Sequence, residues 1–454
     1  IKPSLPCARA ICFSIGGGMM KKMKKLMVLF LFAVAALQAF GLEGLIETKS
    51  NTPLSSSALW TTHDAKKDKV VVVSDIHLGV LDKYSENLKN RAVFIEFLKR
   101  LQNTEDVGEL VIAGDFLDEW YLPLTYPAYN DSSKFYWQVV KNNQAVFDEL
   151  KALMEKGIKL TYVPGNHDMT LESDILDKAL PGINQARDVN GLGKYVTGVR
   201  DEIVIEHGHR YDVFSAPDSV SNKDITGDAP SILPPGYFYA RIAASWVLQG
   251  KPMIKKDYPE IDKVPDPKTD PDQYGAYLYY RIWSGEMNRI TPFERFEDRV
   301  IDIKINGYNG KYSIKDFYPV VQADGTISAP TLFKNYQRDW DKIQENNFVS
   351  IKTSFAESVA GALDSEYFFK QAKKQYLENP NWKVDVVVFG HTHNPMLRKL
   401  PNAEGKYYVN SGTWIDENPD HPAASTFVVV KSREDTDIVE LYEYYRDGTI
   451  LKLD

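Results

Sequence analysis

Cysteine is almost missing from this chain. Its 454 residues hold two, Cys7 and Cys12, and both precede a segment that reads as an export signal. A mature exported chain would carry no disulfide, no thiolate metal ligand and no cysteine for a lipid anchor. Chemistry must therefore come from oxygen and imidazole. Histidine is also sparse, at eight residues. Positive charge is not in surplus. The net charge is −8, and no basic, aromatic-studded patch reverses it, which argues against nucleic acid as a partner. The apolar run Leu26 to Phe40 falls short of the roughly 20 residues a membrane helix needs. No internal repeat is evident.

What remains is the composition of a soluble globular protein, 43% hydrophobic and 26% charged, able to bury a sizeable core. The length suits one elaborated domain or two ordinary ones. Met19, Met20 and Met23 offer translation starts. Lys21, Lys22, Lys24 and Lys25 form a basic leader to the apolar run, and Ala39-Phe40-Gly41 offers small residues for a signal peptidase. Residues 1–41 read as upstream residues and an export signal, which predicts a periplasmic or extracellular protein. An uncleaved N-terminal anchor is the alternative. Residues 42–68 are a polar lead-in.

From Val70 the chain alternates strands and helices. Four valines end in Ser74-Asp75-Ile76-His77, and a helix is expected over 85–102. A strand over 109–113 ends in Gly114-Asp115-Phe116-Leu117-Asp118. One long helix is expected from the Asp131 cap to the Gly157 stop, then a strand over 158–163 ending in Pro164-Gly165-Asn166-His167-Asp168. This order predicts βαβ units and a largely parallel core sheet, an α/β fold. A short strand over 202–206 leads to His207-Gly208-His209. Residues 211–364, rich in Pro, Tyr and Trp, read as an insertion or cap between core parts 69–210 and 365–454. Helices are expected there over 237–248 and 274–287, and a hairpin over 303–314. The core resumes with Val384 to Phe389 and Gly390-His391-Thr392-His393, and ends in strands over 406–409, 426–430 and 438–444.

Asp75, His77, Asp115, Asn166, His207, His391 and His393 all stand just beyond strand ends, where loops of an α/β sheet converge. Six of the eight histidines lie in these motifs, and only His63 and His421 fall outside. Scattered structural histidines would show no such preference. Three Asp or Asn oxygens and four imidazoles are too many donors for one tetrahedral ion. They suit two divalent ions sharing a carboxylate, with positions left for water and substrate. N and O donors admit Mn, Zn or Fe. Such a pair would attract a phosphate group and lower the pKa of bound water to give hydroxide near neutral pH.

The ordered series SDIHLG, GDFLD, GNHD, EHGH and GHTH resembles the calcineurin-like metallophosphoesterases, over roughly residues 69–210 and 383–432. The resemblance implies a layered sandwich of mixed sheets flanked by helices, with the insertion between the fourth and fifth motifs. It implies Asp75, His77 and His393 on one metal, Asn166, His207 and His391 on the other, and Asp115 between them. His209 competes with His207, which is preferred because it stands at the strand end. His167 becomes the general acid, oriented by Asp168. Asp118 is expected to hold a ligand histidine, and Trp120 and Trp414 to pack. GDFLDEW and HGHRYD look closest to the branch of the UDP-2,3-diacylglucosamine pyrophosphatases. That branch tends to have Arg in place of His167, acts on the cytoplasmic side and has a compact lid.

The expected function is an exported phosphoester hydrolase acting on a phosphorylated small molecule, nucleotide or lipid. Attack by a metal-bridging hydroxide would cleave a phosphomonoester, phosphodiester or pyrophosphate bond. Aromatic clusters at 237–246 and 277–283 fit either an acyl-binding cap with membrane contact or the core of an inserted subdomain. Aromatic stripes at helical spacing are usually packing. The rival class is a non-catalytic binding module on the same fold.

Overall fold

The computed structural model describes residues 59–60 and 66–453, apart from 230, 255–257, 294, 329–330, 402 and 419–420. The export signal, most of the lead-in and His63 lie outside the described residues. No helix among the described residues is long and apolar enough to cross a membrane.

Two sheets form the core. The first has seven strands: β1 (Lys69–Val73), β2 (Val107–Ala113), β3 (Lys159–Val163), β4 (Asn184–Gln185), β14 (Thr426–Lys431), β15 (Ile438–Tyr444) and β16 (Ile450–Lys452), in the order β16-β15-β14-β1-β2-β3-β4. β1 to β4 run parallel, while β14, β15 and β16 add antiparallel pairings. The second sheet holds β5 (Tyr195–Thr197), β6 (Ile203–Ile205), β11 (Val386–Phe389), β12 (Met396–Lys399) and β13 (Tyr407–Asn410), in the order β12-β13-β11-β6-β5. β11 is parallel to both β13 and β6. The core is thus the layered sandwich of mixed sheets that the family resemblance implies: the parallel run β1 to β4 is extended by β14, antiparallel to β1, and then by β15 and β16, each antiparallel to the strand before it.

The valine run of β1 explains the layering. Successive side chains point to opposite faces. Val70 and Val72 join Ile203, Ile205, Val386 and Val388 between the sheets. Val71 and Val73 face helices Asn90–Leu101, Ser132–Asn142 and Gln144–Glu155, with Phe94, Phe97, Val139 and Leu150. The second sheet is covered on its outer face by Tyr367, Ala372 and Tyr376. The long helix expected over 131–157 is in fact two. Asn143 breaks it, because its amide donates to Gly79 O at 3.0 Å and to Val139 O at 2.8 Å, competing with the helical ladder. The helix expected from residue 85 begins at Asn90, where the distant Asp416 carboxylate accepts from the Lys89 and Asn90 amides, each at 2.8 Å.

The insertion has its own aromatic core. Helices Pro235–Leu248 and Pro271–Ile290 bring Tyr237, Phe238, Tyr280 and Trp283 together with Phe317, Tyr336 and Trp340, and Trp120, Tyr121 and Met169 from core loops join them. The hairpin pairs β7 (Ile301–Ile303) with β8 (Gly310–Tyr312), two residues earlier than expected, and a second short antiparallel pair, β9 (Val320–Val321) and β10 (Ile327–Ser328), follows it along the chain. Asn306 and Gly307, both at positive φ, make its turn.

Candidate metal centre

Each site residue lies just past a strand end, on backbone that bends sharply. Asp75, His77, Asp115, His391 and His393 all have positive φ, between 50° and 72°. This region is costly for residues with a Cβ, and clusters of such strain mark functional sites. Two glycines make room. A Cβ on Gly114 would sit 2.4 Å from the His207 ring, and one on Gly165 would sit 2.1 Å from Asp115 Oδ1. The first sheet supplies Asp75, His77, Asp115 and Asn166, and the second supplies His207, His391 and His393. Asp75 ties the sheets together, since its Oδ2 accepts from the His391 amide at 3.0 Å.

Four donors converge on one side. Asp75, His77, Asp115 and His393 each offer an atom within 4.8 Å of the others. His393 Nε2 lies 3.1 Å from Asp75 Oδ1 and 3.2 Å from His77 Nε2. His77 donates its Nδ1–H to Asp118 Oδ2 at 3.0 Å, so its Nε2 presents a lone pair. Asp75 Oδ1 is buried and accepts no hydrogen bond. On the other side, His207 donates Nδ1–H to Ala113 O at 2.8 Å, and its Nε2 faces Asn166 Oδ1 at 3.0 Å and Asp115 Oδ2 at 3.2 Å. Asp115 Oδ2 also lies 3.6 Å from His77 Nε2, so this one atom stands between the two groups. Its Oδ1 accepts from the His167 amide at 2.8 Å.

Lone pairs facing lone pairs in a buried site call for cations. The donor set fits divalent metal ions: carboxylate, amide and imidazole, with three of the imidazoles held by carboxylate or carbonyl acceptors on the far nitrogen. Without a cation a proton takes its place. Burial pulls His207 down, but Asp115 and Asp75 overcome it and push the imidazole up to about 9. Burial opposes the charge on Asp115, yet His207, His167 and His77 hold its carboxyl well below the usual range. Leaving such charges uncompensated would cost several kcal/mol per ion, on the order expected for buried groups.

The remaining residues fall into place less evenly. His391 turns Nε2 to Asp212 Oδ2 at 3.0 Å, and its ring centroid is 5.2 Å from that of His207. His209, the competitor in the fourth motif, is buried with no hydrogen bond to either ring nitrogen, while His207 faces Asp115 and Asn166. Asp168 is a correction. The carboxylate on the His167 ring is that of Asp118, whose Oδ1 lies 2.9 Å from Nδ1. Asp168 instead accepts from the amides of Gly165 at 2.7 Å and Phe116 at 2.8 Å, which shapes the loop. Asp118 holds both His77 and His167, one on each oxygen, and also accepts from the Trp120 and Tyr121 amides.

Trp120 does more than pack. Its ring stacks on His167 at 4.7 Å and 28°. Trp414 is packing, against Phe94 and Phe97. Two carboxylates were missed. Asp212 ends the HGHRYD stretch, where its proximity to the motif was the available signal. Glu86, 3.4 Å from His77 Nδ1, lies in what reads as a helix and carried none. Burial pushes the Glu86 carboxyl up, the His77 ring pulls it down, and Asp118 and Asp115 push it up again, which leaves it well above the usual carboxylate range.

The fold is a mixed α/β sandwich whose strand ends bring together a buried carboxylate–imidazole cluster that could hold a metal ion. Residues 68–235 match the family model of the calcineurin-like phosphoesterases. No curated protein matches the chain. Among solved structures, a Vps29 double mutant from Entamoeba histolytica is 11% identical, covering 85% of this chain and 99% of its own, with a TM-score of 0.27. Phosphopantetheinyl hydrolase (PptH) from Mycobacterium tuberculosis is also 11% identical, covering 80% and 100%, with a TM-score of 0.24.

Proposed function

We propose that the chain hydrolyses a phosphoester, phosphomonoester, phosphodiester or pyrophosphate, with two divalent ions (Mn, Zn or Fe) held on either side of Asp115. The observation that carries this is Asp115 Oδ2, buried between His77 Nε2 and His207 Nε2 while both rings donate their other nitrogen elsewhere. Bound there, such ions supply Lewis-acid polarisation of phosphoryl oxygens and a lowered pKa of water.

The side chains of the protein do the rest. Asp75, His77, Asp115 and His393 would hold one ion, and Asp115, Asn166, His207 and His391 the other. His167 serves as general acid. Burial works against its protonation, but Asp118 and Asp115 outweigh it and raise the imidazole above its ordinary value, the direction a general acid needs. Asp118 holds Nδ1–H, which leaves Nε2–H to protonate the departing oxygen, and the Trp120 face limits rotation of the ring. Acid and ligand thus hang from one carboxylate. The substrate we propose is a phosphorylated small molecule, nucleotide or lipid.

The test is turnover of chromogenic phosphomonoester and phosphodiester substrates by protein stripped of metal and reloaded with Mn or Zn. Metal-dependent hydrolysis lost in His167→Ala and Asn166→Ala is the expected result. Metal binding with full activity in His167→Ala would remove the acid from this account. The exported location rests on the Lys21–Lys25 leader and its apolar run, and N-terminal sequencing of the protein from its source cells tests it.

A further inference from the structure

We infer that Asp212 is a positioning residue that couples the insertion to the His391 half of the centre. The inference rests on the metal-dependent reading above and names a residue that reading does not use. A carboxylate can only accept, so at 3.0 Å the bond from His391 Nε2 to Asp212 Oδ2 places the proton on Nε2. The ligating nitrogen would then be Nδ1, on the opposite edge of the ring. Asp212 therefore decides which edge of His391 meets a cation.

Asp212 is also the point where the insertion leaves the core. It follows the turn His209–Tyr211, and its Oδ1 accepts from the Phe214 amide at 2.9 Å. Its carbonyl accepts from the Ala216 amide at 2.8 Å. The segment it shapes is bolted to the aromatic core. Val213 O accepts from Tyr336 Oη at 2.7 Å, and the Phe214 ring lies 5.2 Å from Tyr279, nearly parallel at 5°. The returning end of the chain meets the same histidine. Tyr367 donates to Tyr211 O at 2.9 Å, and the Phe368 ring stands edge-on to His391 at 5.4 Å. The departing and returning chains thus bracket one ligand. A shift of either would turn His391, and a cation fixing His391 would in turn fix both.

The experiment uses the full chain, stripped of metal and titrated with Mn2+ by calorimetry, as wild type and as Asp212→Ala, Asp212→Asn and Asp212→Glu. Wild type should take up two ions. Asp212→Ala should weaken one of them by about 10–100-fold, the usual cost of losing a carboxylate behind a ligand histidine, and leave the other unchanged. Asp212→Glu should restore part of the loss. Asp212→Asn keeps the shape but not the charge, and should lie between, which keeps the test valid if the alanine variant misfolds. Hydrogen exchange gives a second reading: Mn2+ should slow the amides of 213–216 and 218 in wild type and not in Asp212→Ala. Equal affinity for both ions in all variants would overturn the inference while leaving the metal centre standing. Failure of wild type to bind Mn2+ would overturn both, and the two failures are told apart by the wild-type titration alone.

Discussion

The centre and the insertion are buried to a similar degree, for opposite ends. At the strand ends the buried side chains are Asp75, His77, Asp115, Asn166 and His207, all polar, aimed at one another and short of donors. In the insertion they are Tyr237, Phe238, Tyr280 and Trp283, apolar over most of their area and interlocked edge to face. The first arrangement balances its carboxylate charge with protons in the metal-free protein and acquires purpose when a cation displaces them. The second stabilises by excluding water and asks for no ligand. Aromatic clusters that fit either a lipid cap or a core have their rings turned into the insertion itself, with Trp283 at 2% and Tyr237 at 0% exposure.

Substitutions can pull the two regions apart. The largest effect should come from Asp115→Asn, which removes the shared charge. Turnover should fall by about 10³-fold, the scale of losing a principal electrostatic group, and metal uptake with it. The metal-free melting temperature should fall far less than turnover does, because the variant loses only the pairing of the Asp115 charge with the histidines around it. Trp283→Ala should do the reverse. It should cost about 3–5 kcal/mol of stability in a denaturant melt, as large-to-small core changes do, with metal stoichiometry unchanged. A variant at either site that moved both readouts equally would break the comparison.

His167→Ala should lower turnover by about 10²-fold, the lower end for a general acid, without changing metal content by elemental analysis. The smallest effect is on pH. With His207 raised to about 9, its proton stabilises the metal-free fold below its ordinary value near 6.5, and that contribution is lost as pH rises through about 9. A cation must displace the same proton. Metal affinity should therefore rise with pH and level off above about 9, while metal-free stability falls over the same window. Titrations in buffers of different ionisation enthalpy would register the released proton.

The strand-end residues were legible because a strand ends where its apolar run ends, and the motif sits at the next residue. Asp75, His77, Asp115 and His391 needed no tertiary information to be noticed. Their positive φ was not legible, because Asp and His give no signal of the kind glycine gives. Nor was the pairing of His167 with Asp118. Forty-nine residues separate them, and Asp168, next in sequence, was the nearer guess. The helix break at Asn143 has the same origin, since its amide answers to Gly79 across 64 residues. Asp212 belongs to this group too: its partner lies on the other side of the insertion.

The most direct test is anomalous scattering from crystals of the full chain soaked in Mn2+. Two peaks, one among Asp75, His77, Asp115 and His393 and one among Asp115, Asn166, His207 and His391, are the predicted result. Peaks elsewhere, or none at these donors, would contradict the central claim that the strand ends were shaped to hold cations.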